Sequence, residues 1–142
     1  MATNTAGNAG YSPPSHQVPY IGRTLSYLDF PGTANVAVTI GVLPPNAIVT
    51  GGGVWVVTGF DDTTGDDFDV GVSGSDDDLF ASAIDVNTAS VLGTLDDLAD
   101  ANRFSTSART VTANFTTAPT DDGTAGEVFI WVEYVIQIPR VA

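Results

Sequence analysis

The stretch that most limits what this chain can become lies near its end: Gly126-Glu127-Val128-Phe129-Ile130-Trp131-Val132-Glu133-Tyr134-Val135-Ile136-Gln137-Ile138, closed by Pro139. β-branched and aromatic residues dominate it, and such side chains favour an extended backbone over a helix. At period two, Val128, Ile130, Val132, Tyr134, Ile136 and Ile138 share one face, which reads as core. Phe129, Trp131, Glu133, Val135 and Gln137 share the other. That second face is half apolar, so something covers it while polar groups still meet water. These features predict a central strand of an antiparallel sheet with its second face turned to a neighbouring subunit. A helix made of this run would have no polar face. A membrane span is excluded by the short length and by Glu133 and Gln137.

A chain of 142 residues forms one domain with room for an appended arm, and at this size roughly two thirds of the unfolded surface is buried on folding. There are no cysteines, so neither disulfides nor thiolate metal sites are available. Met1 to Thr5 has no basic start and no apolar run after it, so no signal peptide is expected and synthesis in the cytoplasm is. Net charge is −13, with four cationic residues, all arginine. Such a surface repels phosphate backbones and anionic lipid, which argues against nucleic acid and membranes as partners. It suits a solvated, aggregation-resistant exterior, or salty surroundings that screen its self-repulsion.

Residues 1–23 read as an extended N-terminal arm and 24–142 as the folded domain. The early residues are rich in Thr, Asn, Gly, Ser and Pro, and Pro13, Pro14 and Pro19 stiffen them against helix or central strand. Tyr11, Val18, Tyr20 and Ile21 are more apolar anchors than a solvent tail needs. Tyr11, Pro13, Pro14 and Tyr20 are the residues with which such an arm would grip a neighbouring subunit. His16, the sole histidine, lies there too, far from any convergent chemistry.

Strands are expected at 24–30, at 35–42 with Val36, Val38 and Ile40 on one face, and at 47–60. In the last of these, Val54, Val56, Thr58 and Phe60 alternate with Trp55, Val57 and Gly59. Leu43-Pro44-Pro45-Asn46 is a proline-set turn. Gly51-Gly52-Gly53 predicts a bulge or a bend between sheets; with no basic help and no following helix it is no phosphate cradle. Asp61 to Asp67 reads as an acidic hairpin loop, Phe68 to Val72 as its return strand, and Ser73 to Asp78 as a second acidic turn before the apolar 79–84. Thr94 to Ala101 reads as a short helix capped by Thr94, with Leu95, Leu98 and Ala99 buried. Arg109 to Phe115 is a strand with Val111, Ala113 and Phe115 on one face. The sum is an all-β antiparallel sandwich or jelly-roll-like domain with at most one short helix.

Catalytic constellations are not visible: the chain has no Cys and no Lys, no nucleophile elbow and no histidine-rich metal spacing. Calcium is the one cofactor the residues suggest, through Asp61, Asp62, Asp66, Asp67 and Asp69 or through Asp76, Asp77 and Asp78, since calcium takes carboxylates on flexible loops. The spacing does not match the twelve-residue helix–loop–helix pattern, and hydrated Asp turns explain the same residues. A calcium-dependent carbohydrate- or receptor-binding sandwich is therefore one functional reading.

The series Ile40-Gly41-Val42-Leu43-Pro44-Pro45-Asn46-Ala47-Ile48-Val49-Thr50, Val54-Trp55-Val56-Val57-Thr58-Gly59-Phe60 and Asp69-Val70-Gly71 resembles capsid decoration (cement) proteins of tailed bacteriophages. Phe80-Ala81-Ser82-Ala83-Ile84-Asp85 and Gly126-Glu127-Val128 through Tyr134-Val135 are similar to the same group, so the likeness covers about residues 24–138. It implies a non-enzymatic β protein on the outer surface of the head, trimeric at three-fold positions, that binds the major capsid protein and holds the shell against internal DNA pressure. The resemblance hands over no catalytic residues. This chain departs from it in abundant Asp and missing Lys. Phe129 and Trp131 are the residues expected at the subunit interface, and a tail or head-fibre module is the related alternative.

Overall fold

A computed structural model describes residues 18–30, 32, 34–61, 66–95, 97–117 and 123–138, with the side chain of Asp66 left aside. Among the described residues nine strands follow one another: β1 (Tyr20–Ser26), β2 (Val38–Leu43), β3 (Ala47–Thr58), β4 (Asp66–Val72), β5 (Asp76–Asp85), β6 (Leu92–Thr94), β7 (Phe104–Ser105), β8 (Arg109–Phe115) and β9 (Glu127–Ile136). They form two antiparallel sheets. One runs β1-β9-β3-β6, with β7 also on β3; the other runs β2-β8-β4-β5. The all-β sandwich expected from the sequence is the fold.

The core lies between the sheets. β9 gives it Val128, Ile130 and Val132, β3 gives Val49, Val54 and Val56, β8 gives Val111, Ala113 and Phe115, and β4 gives Phe68, Val70 and Val72, all buried. This is the alternation that a strand with one inward face requires. At one end four phenylalanines meet edge to face: Phe115 lies 4.9 Å from Phe30, 5.0 Å from Phe68 and 5.3 Å from Phe60, between ring centroids. The sheets also touch along both edges. The Arg23 side chain of β1 donates to the Thr39 carbonyl of β2 at 2.6 Å, and a Cβ on Gly93 of β6 would stand 2.7 Å from Ile84 Cγ2 of β5.

Several expectations need correction. The first strand is Tyr20–Ser26 rather than 24–30. Ser26 and Asp29 form a reciprocal capping box, with the Ser26 N–H donating to Asp29 Oδ2 at 2.8 Å, and the chain turns into a 3-10 segment, Tyr27–Asp29. Residues 20–23, placed with the arm by the sequence, therefore pair with β9. The short helix at Thr94 to Ala101 is not formed: Thr94 ends β6, and the described residues near there hold only a 3-10 turn, Asp100–Asn102. Pairing of Leu92–Thr94 with β3 outweighs a helix too short to stand without strong packing. Leu98 is buried all the same. The second acidic turn is shorter than expected, since Asp76, Asp77 and Asp78 already belong to β5. Finally, the inner face of β9 is not core throughout, because Ile136 and Ile138 are exposed beyond the sandwich.

The glycine run makes a bulge, not a bend. β3 continues through it, and its register on β9 shifts between Val49 and Gly51. Gly52 has φ +141°, and a Cβ there would run into the Trp131 carbonyl and lie 2.7 Å from Leu95 Cδ1. Only glycine fits that position.

Candidate functional site

The outer face of the first sheet departs most from what a soluble protein shows. Solvent-facing sheet surfaces are ordinarily polar, yet here cross-strand pairing collects aromatic and aliphatic side chains. Trp55 of β3 stands opposite Phe129 of β9 and opposite Leu92 of β6. Trp131 stands between Gly22 of β1 and Gly53 of β3, and Tyr20 stands opposite Glu133. The glycines form the floor of the patch. A Cβ on Gly22 would lie 3.1 Å from the Phe129 and Tyr20 rings, and one on Gly53 would lie 3.0 Å from Trp131. Without those side chains the rings lie close on the sheet.

Phe129 and Trp131 stack with centroids 5.6 Å apart and planes 16° from parallel. Trp131 is fixed further by its indole N–H, which donates to Glu133 Oε2 at 3.0 Å. The result is a groove of about 520 Å³ lined by Val18, Tyr20, Trp55 and Leu92 with Phe129, Trp131 and Glu133. Its rim is open to water: Tyr20 is 58% exposed, Leu92 55% and Trp55 40%. Val57 and Val135 extend the apolar surface and are also exposed. An exposed patch of this composition, with a single carboxylate beside it, is the kind of surface through which proteins contact apolar partners.

Of the residues expected from the sequence, Phe129 and Trp131 lie in this groove, and Tyr20 joins them as a member of β1. Tyr11, Pro13 and Pro14 lie outside the described residues. Trp55 and Leu92 were missed as site residues. The phase of β3 puts Trp55 opposite the core-facing Val54 and Val56, which is a usable signal; Leu92 gives none, because its membership depends on β6 pairing with β3.

The aspartates of the expected calcium set do separate jobs. The Asp61 carboxylate ties two distant loops, accepting from the Thr124 hydroxyl at 2.7 Å and from the N–H groups of Thr124 and Ala125 at 3.0 and 3.1 Å. Those bonds, the hydroxyl first, hold its carboxyl below the usual range. The tie is therefore present above the unfolded aspartate value and lost as pH falls through the lower folded one. In an acid titration followed by NMR, the Thr124 and Ala125 amide resonances are expected to move with a midpoint below the ordinary aspartate value of about 3.9, and Asp61→Ala is expected to abolish that step. A midpoint at or above the ordinary value would contradict the tie.

Asp69 is buried and accepts from the Ala83 N–H at 2.9 Å. Ala83 has φ +55° and sits where β4 and β5 slip register between Phe68 and Val70, so the carboxylate satisfies the bulge. Burial raises the Asp69 carboxyl, the Ala83 bond partly offsets this, and the charges of Asp77 and Asp97 add to the rise. Asp67 is buried too, and its backbone carbonyl accepts from the Thr116 N–H at 2.8 Å. Asp62 and the Asp66 side chain lie outside what is described. Among the described residues, the acidic group whose oxygens converge within 4.8 Å is Asp76, Asp77 and Asp78. There the Asp78 carboxyl is pushed up to about 6, first by a hydrogen bond shared with Asp76, then by lost hydration and by neighbouring carboxylates.

No family model matches the chain, and no curated protein matches it. Among solved structures, a chain from the capsid of Ralstonia phage GP4 superposes with a TM-score of 0.60 at 20% identity, covering 88% of this chain and 87% of that one. A chain from the cyanophage Pam1 capsid asymmetric unit superposes with a TM-score of 0.61, also at 20% identity, covering 96% of this chain and all of that one. This chain has their fold. At that identity the aromatic groove and the acidic group have to be read from this chain's own residues.

Proposed function

We propose that this chain is a non-enzymatic structural component of a phage particle, a decoration protein that binds the major capsid protein from outside as a homotrimer and stiffens the shell. The observation that carries the reading is the exposed aromatic groove on the outer face of β1, β9, β3 and β6. It sits on a fold shared with chains of two phage capsids. An enzyme needs groups of opposed roles converging in a cleft, whereas this concavity is lined almost wholly by carbon and ring surface. Apolar anchors of that kind are how subunit contacts gain their affinity.

Electrostatics favour the outside of the shell over the inside. A net charge of −13 would be repelled by packaged DNA, while the exterior presents no such phosphate lattice. Phe129 and Trp131 anchor the subunit contact in this reading. Tyr11, Pro13 and Pro14 are the proposed contacts to the capsid or a neighbouring subunit, and Tyr20 joins them from the start of β1.

The deciding measurement is the copy number of the chain in purified particles, by quantitative mass spectrometry against the major capsid protein. Hundreds of copies in a simple ratio to that protein are expected, along with heads that lose heat resistance when the chain is absent. A few copies per particle would move the assignment to a tail or fibre part. Absence from the particle would overturn the virion reading.

A further inference from the structure

We propose that Asp76, Asp77 and Asp78, with Thr112, which lines the same concavity as the first two, form a site for one divalent cation of the calcium class. The site lies on the outer face of the second sheet, across the sandwich from the aromatic groove, and the proposal does not depend on the virion reading.

Three consecutive carboxylates on a regular strand would alternate between faces. Here they converge, with one oxygen from each within 4.8 Å of the others, because the β4–β5 pairing slips: Val70 is opposite Ala81, but Val72 is already opposite Asp76. The slip also lays the backbone of Asp76 and Asp77 across Gly71. A Cβ on Gly71 would run into the Asp76 carbonyl oxygen and the Asp77 carbonyl group, so the backbone carbonyls of these two acidic residues turn toward Gly71.

The second observation is independent of the acidic cluster. Gly71 pairs with Thr112 of β8, whose neighbours Val111 and Ala113 point into the core. The Thr112 side chain therefore stands on the outer face, next to that crossing backbone. It lines the same concavity of about 340 Å³ as Asp76 and Asp77. Thr112 is only 2% exposed, and its hydroxyl oxygen has no hydrogen-bond partner among the described residues. A buried hydroxyl left this way is costly unless something else uses its lone pairs.

No described arginine forms an ion pair with Asp76, Asp77 or Asp78. Among the described residues, Arg23 pairs with Asp29, Arg103 pairs with Asp100, and Arg109 donates to the carbonyls of Asn102 and Arg103. The available donors are carboxylate, carbonyl and hydroxyl oxygens, without nitrogen or sulfur, which selects a hard cation. Calcium tolerates an irregular mixed oxygen shell, whereas magnesium demands near-octahedral geometry and keeps its water.

The test uses the full chain, freed of metal by chelation and titrated with CaCl₂ at constant ionic strength, by calorimetry and by thermal melting. One ion per chain is expected, with half-saturation on the order of 0.1–1 mM and a rise in melting temperature that saturates over the same range. MgCl₂ is expected to give a smaller rise at equal concentration. Asp77→Asn is expected to weaken calcium binding at least tenfold. Thr112→Val is expected to weaken it several-fold while leaving the metal-free melting temperature unchanged or higher, since it removes only an unsatisfied hydroxyl. Asp61→Asn is expected to bind as the parent does. A rise that NaCl reproduces, no saturable binding, or parent-like binding in both Asp77→Asn and Thr112→Val would overturn the site.

Discussion

Phe115→Ala is expected to cost about 3–5 kcal/mol of folding stability, the largest loss from any single truncation in the core. Phe115 is 2% exposed and is the ring on which Phe30, Phe60 and Phe68 converge edge to face. Each such contact adds about 0.5–1.5 kcal/mol beyond area burial, and all three go together. The site cannot collapse easily, because its backbone is held on both sides: Phe115 is paired with Phe68, and its carbonyl accepts from the Asn35 N–H at 2.7 Å. A domain of this kind has about 5–15 kcal/mol of net stability, so the variant sits near the edge of folding. Urea unfolding checks this: the midpoint is expected to fall with the slope unchanged. Phe115→Leu, which keeps most of the volume, is expected to lose less than half as much. A loss under about 1 kcal/mol for the alanine variant would mean that the ring cluster is not a packed unit.

What the sequence disclosed follows from the range of the interactions. Arg109–Phe115 and most of the final strand were legible because the inward and outward residues of a strand differ at every second position. The bulge at Gly51-Gly52-Gly53 was legible because its demand on the backbone is local. The reading failed where distant partners decide the outcome. Leu92–Thr94 is a strand because β3 offers it an edge, and nothing within 94–101 announces that. Asp76 to Asp78 resemble a hydrated turn until the register of β4 and β5 is known. Of the groove, Phe129 and Trp131 were legible from the mixed outer face of β9. Their union with Trp55, Leu92 and Tyr20 required the pairing of four strands. The task of Asp61, a bond to Thr124 across 63 positions, is of the same kind.

Trp55→Glu is expected to leave the fold of the protomer intact and to break its association with other subunits by at least a hundredfold. Trp55 is 40% exposed, so the isolated chain loses little packing, and stability is expected to stay within about 1 kcal/mol of the parent. In a contact the balance reverses. Truncating a central tryptophan in an interface costs about 2–4 kcal/mol or more, and the new carboxylate must also be desolvated without a partner. Overall charge of −13 supplies further repulsion between copies. Analytical ultracentrifugation of the purified chain reads self-association, and co-sedimentation with heads lacking the chain reads docking. Val42→Glu, an exposed apolar position on β2 of the opposite sheet, serves as the control and is expected to behave as the parent. If the proposed subunit contact runs through Phe129 and Trp131, the expected result is loss of the trimer together with head binding. A trimer that persists while head binding is lost would transfer the groove from the subunit contact to the capsid contact. If both persist, the aromatic face is not an interface, and the reason for Gly22 and Gly53 beneath its rings must be sought in the folding of the sheet itself.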